Sequence, residues 1–398
     1  MGLIKLNKLD FLKLVPNREA KINSAPEKKL PELNEYKANQ IAQALHPGWQ
    51  KMVVSKVEKI NEDASLFTLS LDADSSQKTP SYFSAGQYLS LQLKIENVTT
   101  TRPYTICSSP KDALKGFYKI LVKRVPDGFA SNYILDNWKE GTKVTCSEPL
   151  GTFTYEPLRD AKNVIGIAGG SGISVFYSLA KAIAEGTENC SLTLLYGSKT
   201  EKDIILKNEL EELSKNCDKI KIVHVLSQEK KEGYENGFIT ADLIKKYSTE
   251  GGYSIFVCGP QAMYDYEKEQ IATLGLRRKF VRYELSGIKN QAADYPAFPK
   301  EKEGTYKLTV KYQGQEKTID CSSNQTILRI IENAGISVAS QCRSGICGWC
   351  HSKLVSGEVF IPQEHDGRRL ADAQFGYIHP CASFPLSDLV IEVPVINP

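Results

Sequence analysis

A chain of 398 residues is too long for one hydrophobic core, so roughly two to four domains are expected. Hydrophobic residues make up 41% and charged residues 24%, the balance of a globular protein in water. The net charge of +3 gives no reason to expect nucleic acid as a partner, and no apolar run reaches the length of a membrane span. Lys5, Lys8 and Asp10 break the N-terminal apolar stretch, which makes a poor signal peptide. Leu6 fills the Ser/Thr position of a myristoylation motif. With ten cysteines and no export signal, reduced thiols and a cytoplasmic location are expected.

Residues 1–50 are charged, with Pro16, Pro26, Pro31 and Pro47, and read as an extension. Leu3, Ile4, Phe11, Leu12 and Val15 could give it a short apolar face for docking. Residues 51–158 carry short strands at Met52–Ile60, Leu66–Leu71, Gln87–Leu93, Phe117–Val125 and Lys143–Ser147, a pattern for a small barrel or sandwich. One short helix, Phe129–Leu135, interrupts them. In residues 159–286 the rhythm changes to strand–helix alternation. Strands at Val164–Ala168, Leu192–Tyr196, Ile220–Leu226, Ile255–Cys258 and Lys279–Leu285 alternate with helices ending near Glu185, Leu213, Tyr247 and Leu274. Apolar strands of this kind predict a doubly wound parallel sheet. Residues 287–303 read as a linker, and 304–398 as a last small domain with a hairpin around Gly314 and a helix at Thr326–Ala334.

Three stretches suit a phosphate and a flat ring, though the first alone would read as a plain strand end. In Arg102-Pro103-Tyr104-Thr105 the guanidinium suits a phosphate, the phenol offers a flat face and the hydroxyl can bond a ring nitrogen. Lys123 leads into Gly128 and Ser131 at a helix start, where free N–H groups favour phosphate. Glu148-Pro149-Leu150-Gly151-Thr152-Phe153 ends the all-β region in a glycine turn. A fourth stretch, Gly169-Gly170-Ser171-Gly172-Ile173-Ser174, joins a strand to a helix and lets a dinucleotide phosphate approach the backbone; a plain tight turn is the alternative. Ser198 and Lys199 follow the next strand and lean toward a 2′-phosphate, while Glu201 and Asp203 blur that choice.

The cysteines carry the most specific signal. Cys342, Cys347 and Cys350 form C-x4-C-x2-C, and Cys381 stands well downstream, the plant-type spacing for a [2Fe–2S] cluster. A disulfide set or a zinc site are the alternatives, but zinc sites usually show two C-x2-C pairs. Gly345 and Gly348 let the loop curl around inorganic sulfide. His351 invites a Rieske reading that the four cysteines make unnecessary. Trp349 is a large aromatic on the same loop, either facing a partner or packing back on the all-β region.

Together the Arg102–Thr105, Lys123–Ser131 and Glu148–Phe153 stretches resemble the flavin domain of the ferredoxin–NADP reductase superfamily. The Gly169–Ser174 loop and Cys258-Gly259-Pro260 resemble its nicotinamide domain, and residues 304–398 resemble a plant-type ferredoxin. The resemblance implies an antiparallel β-barrel flavin domain, an α/β nicotinamide domain and an α+β β-grasp ferredoxin domain. It implies FAD rather than FMN, with Arg102, Gly128 and Ser131 at phosphate, Tyr104 on the isoalloxazine and Thr105 near N5. It implies that Cys258 packs by the nicotinamide, that Glu284 lies near the flavin–nicotinamide contact, and that Cys342, Cys347, Cys350 and Cys381 ligate the cluster. The domain order resembles reductase components of multicomponent oxygenases. Electrons would run from NADH or NADPH to FAD, to the cluster, and singly to a protein such as an oxygenase, demethylase or terminal reductase. A cluster-based redox-sensing protein and reverse electron flow to NAD(P)+ are the other readings.

Overall fold

Alternation of apolar and polar residues sets the first sheet. This computed structural model describes residues 8–25, 32, 35–126, 128–249, 251–284, 287–289 and 291–394. Leu3, Ile4 and Leu285, and the side chains of Phe11 and Leu12, all named above, lie outside that description. Residues 1–44 form a unit of their own. There the extension contains two helices that the proline content hid, α1 (Lys8–Asn23, with Pro16 inside it) and α2 (Lys37–Leu45). Ile22 and Ile41 on these helices, and Tyr36 just before α2, are exposed.

The remaining residues form one unit. It begins with β1 (Trp49–Lys59), β2 (Ala64–Leu71), β3 (Tyr88–Ile95), β4 (Val98–Thr105), α3 (Pro110–Leu114), β5 (Phe117–Lys123), α4 (Phe129–Asn137) and β6 (Lys143–Ser147). The strands pair antiparallel in the order β4-β3-β6-β1-β2-β5. A bridge between Ile106 and Ile120 joins the outer strands, curling the sheet into a half-barrel. Met52, Leu69, Leu89, Ile106, Tyr118 and Ile120 fill it, each worth about 1.5–3 kcal/mol of apolar burial.

The parallel domain follows: β7 (Asn163–Gly169), α5 (Ile173–Ala184), β8 (Ser191–Ser198), α6 (Lys207–Asn216), β9 (Ile220–Leu226), β10 (Glu235–Asn236), α7 (Ala241–Tyr247), β11 (Ser254–Cys258), α8 (Gln261–Ala272) and β12 (Val281–Glu284). Its order is β10-β9-β8-β7-β11-β12. The chain winds outward from β7 and then returns to β11, so β7 and β11 flank the switch point where such sheets bind ligands. Helix α6 starts at Lys207 because Leu206 adopts φ +57°, and β12 starts at Val281 because Arg278–Phe280 form a 3-10 turn. Helix α5 and the β-domain residues Leu66, Cys107, Leu121 and Phe153 share one core.

The last domain has β13 (Thr305–Tyr312), β14 (Gln315–Ser322), α9 (Ile327–Asn333), β15 (Ser352–Ser356), β16 (Val359–Phe360), α10 (Leu370–Gln374), β17 (Tyr377–Ile378), β18 (Phe384–Pro385) and β19 (Leu389–Glu392). Sheet order β14-β13-β19-β15-β17, with β13 and β19 parallel, is the β-grasp arrangement. The 287–303 stretch is not an open linker. Ala292, Tyr295 and Phe298 are buried with Phe384, the N–H of Gly287 donates to Ser344 Oγ at 3.0 Å, and that of Ala293 to Asn324 Oδ1 at 3.1 Å.

Candidate functional site

The glycine loop after β7 is shaped by close approach. A Cβ on Gly172 would stand 2.1 Å from the Cys258 carbonyl oxygen, so only glycine lets this loop touch the end of β11. Gly170 takes φ +52°, and its Cβ position is 3.7 Å from Lys123 Nζ at the end of β5. Gly169 faces Met263 and Pro260, and a Cβ on Gly259 would overlap Met263. Ile173 is buried, and Ser174 Oγ donates to the Ser171 carbonyl at 2.9 Å, tying the first turn of α5. The sequence motifs Gly169–Ser174, Lys123 and Cys258–Pro260 therefore meet at one point. Tyr264 adds a strut that the sequence did not suggest: its hydroxyl accepts from the Gly259 N–H and donates to the Glu284 carbonyl.

Ser198 ends β8 and Lys199 follows it, exposed. Neither nearby carboxylate is idle. Glu201 is bound by Lys207, Lys231 and the Tyr234 hydroxyl, which hold its carboxyl well below the usual range. Asp203 caps Thr200 through both the N–H and the hydroxyl of Thr200.

On the flavin side, Gly128 caps α4, where a Cβ would meet Ser131 Oγ at 2.4 Å. Arg102, Pro103, Tyr104 and Thr105 lie half-buried on β4. Burial, with Arg343 nearby, lowers the Arg102 guanidinium to about 10, and burial raises the Tyr104 phenol. Gly151, at φ +101°, lies against the Tyr88 ring, 3.0 Å from its Cβ position. Thr152 and Thr154 give their carbonyls to Arg282 on β12, whose guanidinium lies 5.5 Å from the Phe153 ring centre and 5.1 Å from that of Phe256.

The cysteine loop has the donor set and the backbone for an iron–sulfur cluster. Arg343, Gly345 and Gly348 adopt positive φ of 55°, 79° and 73°. N–H groups of Ser344 and Cys347 point to Cys342 Sγ at 3.4 Å, and that of Trp349 to Cys347 Sγ at 3.5 Å. The thiols form a chain of neighbours, Cys347–Cys342–Cys381–Cys350. The Cys347 and Cys381 thiols and the loop N–H groups drive Cys342 toward thiolate, the form that binds metal. Among the described residues no three His, Cys, Asp or Glu side chains converge on a single ion, and a binuclear cluster needs its four ligands spread over two irons. Cys342, Cys350 and Cys381 are buried while Cys347 is exposed, beside Ile346 and a half-exposed Trp349. Two histidines from later in the chain brace the loop. His365 Nδ1 donates to the Ser344 carbonyl at 3.2 Å, and His379 Nδ1 to that of Gly345 at 2.6 Å. His351 instead stacks on Tyr377 and meets Asp372.

Between these three sites stand Tyr88 and Glu284. Burial, and then the charge of Cys342 and Cys347, raise the Tyr88 phenol; Glu284 acts on it in the same direction. Burial, reinforced by Cys342 and opposed by Arg282, pushes the Glu284 carboxyl up to about 7. Glu284 pairs with Cys258 across β11 and β12. Glu284 thus lies between the nicotinamide loop and the cluster loop. Tyr88, which no motif flagged, joins it from the flavin barrel.

Family models match in the same order: an oxidoreductase FAD-binding domain at residues 51–155, an oxidoreductase NAD-binding domain at 167–269 and a 2Fe-2S iron-sulfur cluster binding domain at 310–386. The ferredoxin reductase component of 3-ketosteroid-9-alpha-monooxygenase from Mycobacterium tuberculosis is 31% identical over 317 residues, 77% of this chain and 84% of that protein. The chain belongs to the ferredoxin–NADP reductase superfamily. Within that superfamily it is also 28% identical over 359 residues to the glycine betaine monooxygenase reductase subunit of Pseudomonas aeruginosa, covering 85% of this chain and 94% of the relative. The structure of phthalate dioxygenase reductase, described as modular electron transfer from pyridine nucleotides to [2Fe–2S], aligns with a TM-score of 0.62 at 25% identity. It covers 87% of this chain and 98% of its own. This reductase takes NAD(P)H, FAD and a [2Fe–2S] cluster, and passes electrons in that order to a protein partner. Among the described residues no helix is long and apolar enough to cross a membrane.

Proposed function

We propose that this reductase supplies a terminal oxygenase, in a reducing, cytoplasmic compartment. The acceptor is suggested by the relatives, whose names are those of oxygenase reductases. The compartment is suggested by ten cysteines with no disulfide. The observation that carries the residue roles is the meeting of Cys258, Glu284, Tyr88 and Cys342 between three domains. We take those domains as 51–158, 159–286 and 304–398, with 1–50 as an N-terminal extension.

Backbone N–H groups of Gly169, Gly170, Gly172, Ile173 and Ser174 would hold the dinucleotide phosphates, and Ser198 and Lys199 would face the adenosine ribose. Cys258, Gly259 and Pro260 would floor the nicotinamide. Arg102, Lys123, Gly128 and Ser131 would hold flavin phosphate, with Pro103, Tyr104, Gly151 and Thr152 lining the ring and Thr105 offering its hydroxyl toward N5. Cys342, Cys347, Cys350 and Cys381 would bind the irons. When bound, FAD converts a two-electron hydride donor into a one-electron source for the cluster. The chain positions the donors and keeps water off the transfer. With its carboxyl at about 7, Glu284 can hold or release a proton at neutral pH beside that contact.

Exchange of Cys347 for Ser tests the order. The variant should still let NAD(P)H bleach the flavin absorbance but lose reduction of cytochrome c. Full retention of cytochrome c reduction would overturn the scheme. Sustained turnover by the unaltered protein with cytochrome c excludes the redox-sensor alternative.

A further inference from the structure

The flavin-binding strand and the cluster loop are joined by a buried polar network that no sequence motif announced. Thr100 Oγ1 on β4 donates to Glu332 Oε1 on α9 at 3.0 Å. Arg343, next in the chain after the ligand Cys342, grips the same carboxylate with both guanidinium nitrogens at 2.7 and 2.8 Å, and its Nη1 also lies 3.2 Å from Thr100 Oγ1. Arg102 donates to Thr100 Oγ1 and, at 2.8 Å, to the Thr101 carbonyl. Thr101 Oγ1 lies 2.7 Å from both the carbonyl oxygen and the hydroxyl of Ser340. The side chains of Arg343 and Glu332 are 13% and 4% exposed, so the pair is largely screened from water.

Two features mark this network as more than ordinary packing. Arg343 holds φ +55°, a conformation that side-chain-bearing residues disfavour, and it does so directly beside a cluster ligand. Its fork on Glu332 and Thr100 is what opposes relaxation of that backbone. Thr100 Oγ1 is also saturated, donating to Glu332 while accepting from Arg102 and Arg343, so a valine of the same shape would break contacts in both domains.

We infer that Thr100 and Thr101 are positioning residues for the one-electron step between the flavin and cluster sites. They hold the cluster loop against β4 through Glu332, Arg343 and Ser340. No atom crosses this contact; two successive one-electron transfers across it balance one hydride taken from NAD(P)H. The inference rests on the reductase reading, and the two fail differently. If NAD(P)H does not reduce the flavin of the unaltered protein, the reductase reading is wrong. If NAD(P)H reduces the flavin of both proteins and the variant passes electrons to the cluster at the unaltered rate, the positioning role alone is wrong.

The test is the double variant Thr100→Val with Thr101→Val, reconstituted with FAD and cluster and mixed with NADH or NADPH in an anaerobic stopped-flow instrument. Flavin reduction and its KM should stay within about twofold, and flavin-to-cluster transfer should slow by clearly more than that, because the rate of a one-electron step falls as the two sites are held farther apart. Thr100→Ser with Thr101→Ser should restore it, since serine keeps both hydroxyls. In the apo-protein, amide exchange across residues 340–343 should rise in the valine variant, a readout independent of turnover. Transfer at the unaltered rate overturns the inference. So does equal slowing of flavin reduction, which would mean general loosening. If the double variant does not assemble, Thr101→Val alone carries the same test, because it leaves Thr100 Oγ1 with its Glu332 and Arg102 contacts.

Discussion

Glu267 is the most exacting test of the energetics. It lies on α8, the helix that starts after Cys258-Gly259-Pro260, and is 1% exposed, with Oε2 making no hydrogen bond in the structure. Burial, and then the charge of Glu267, raise the phenol of Tyr283 on β12. Burial pushes its carboxyl from 4.5 up to about 8. A carboxyl that holds its proton more tightly when folded stabilises fully below its unfolded value, and that stability is lost as pH climbs through the folded value. At about 1.4 kcal/mol per pH unit, the loss is about 3 kcal/mol by neutral pH, and stability falls by about 2 kcal/mol between roughly pH 6 and pH 8. Glu267→Gln removes the titration while keeping the shape. Urea unfolding, followed by circular dichroism at both pH values, should show the unaltered protein losing about 2 kcal/mol more than the variant. Parallel pH dependence in the two proteins would refute a buried, protonated Glu267.

Gly172→Ala places a methyl 2.1 Å from the Cys258 carbonyl, against backbone with nowhere to go. Flavin reduction by NAD(P)H should fall on the order of 100-fold in stopped-flow measurements, with flavin content and cluster absorbance unchanged; a rate within twofold of normal would show that the close approach is dispensable. Trp349→Ala removes a half-exposed aromatic beside the exposed Cys347. KM for cytochrome c should rise about tenfold or more at unchanged kcat, as expected for an aromatic contact at the centre of a docking surface. An unchanged KM rules out that contact.

What could be read from the sequence was local. Cys342, Cys347 and Cys350 sit within one loop, and the glycines of Gly169–Ser174 within one turn, so spacing alone exposes their chemistry. The strand–helix rhythm of the parallel domain is a short-range pattern as well. Thr100 meets Glu332 from 232 residues away, and a threonine on an ordinary strand carries no mark of that. Tyr88 alternates like any strand residue, and only tertiary pairing with Leu150 brings it to Gly151 and the cluster side. Glu267 lies in the run Asp265-Tyr266-Glu267-Lys268-Glu269, which reads as a solvated helix face. His365 and His379 lack metal spacing because they brace carbonyls instead. Pro16 argued against a helix that nevertheless continues through it.

The packed 287–303 stretch bears on how this reductase can be cut and recombined. Tyr295 and Phe298 rest on Phe360 and Phe384, aromatic side chains of the ferredoxin domain. A transplant that begins at Gly304 would strip that cover and leave two phenylalanines facing water, an aggregation liability. One that begins at Gly287 carries its own cover and the Ser344 contact beneath it. The natural seam for exchanging electron outlets between such reductases therefore falls before the strap, and the portable cassette is longer than the cluster-binding fold it delivers.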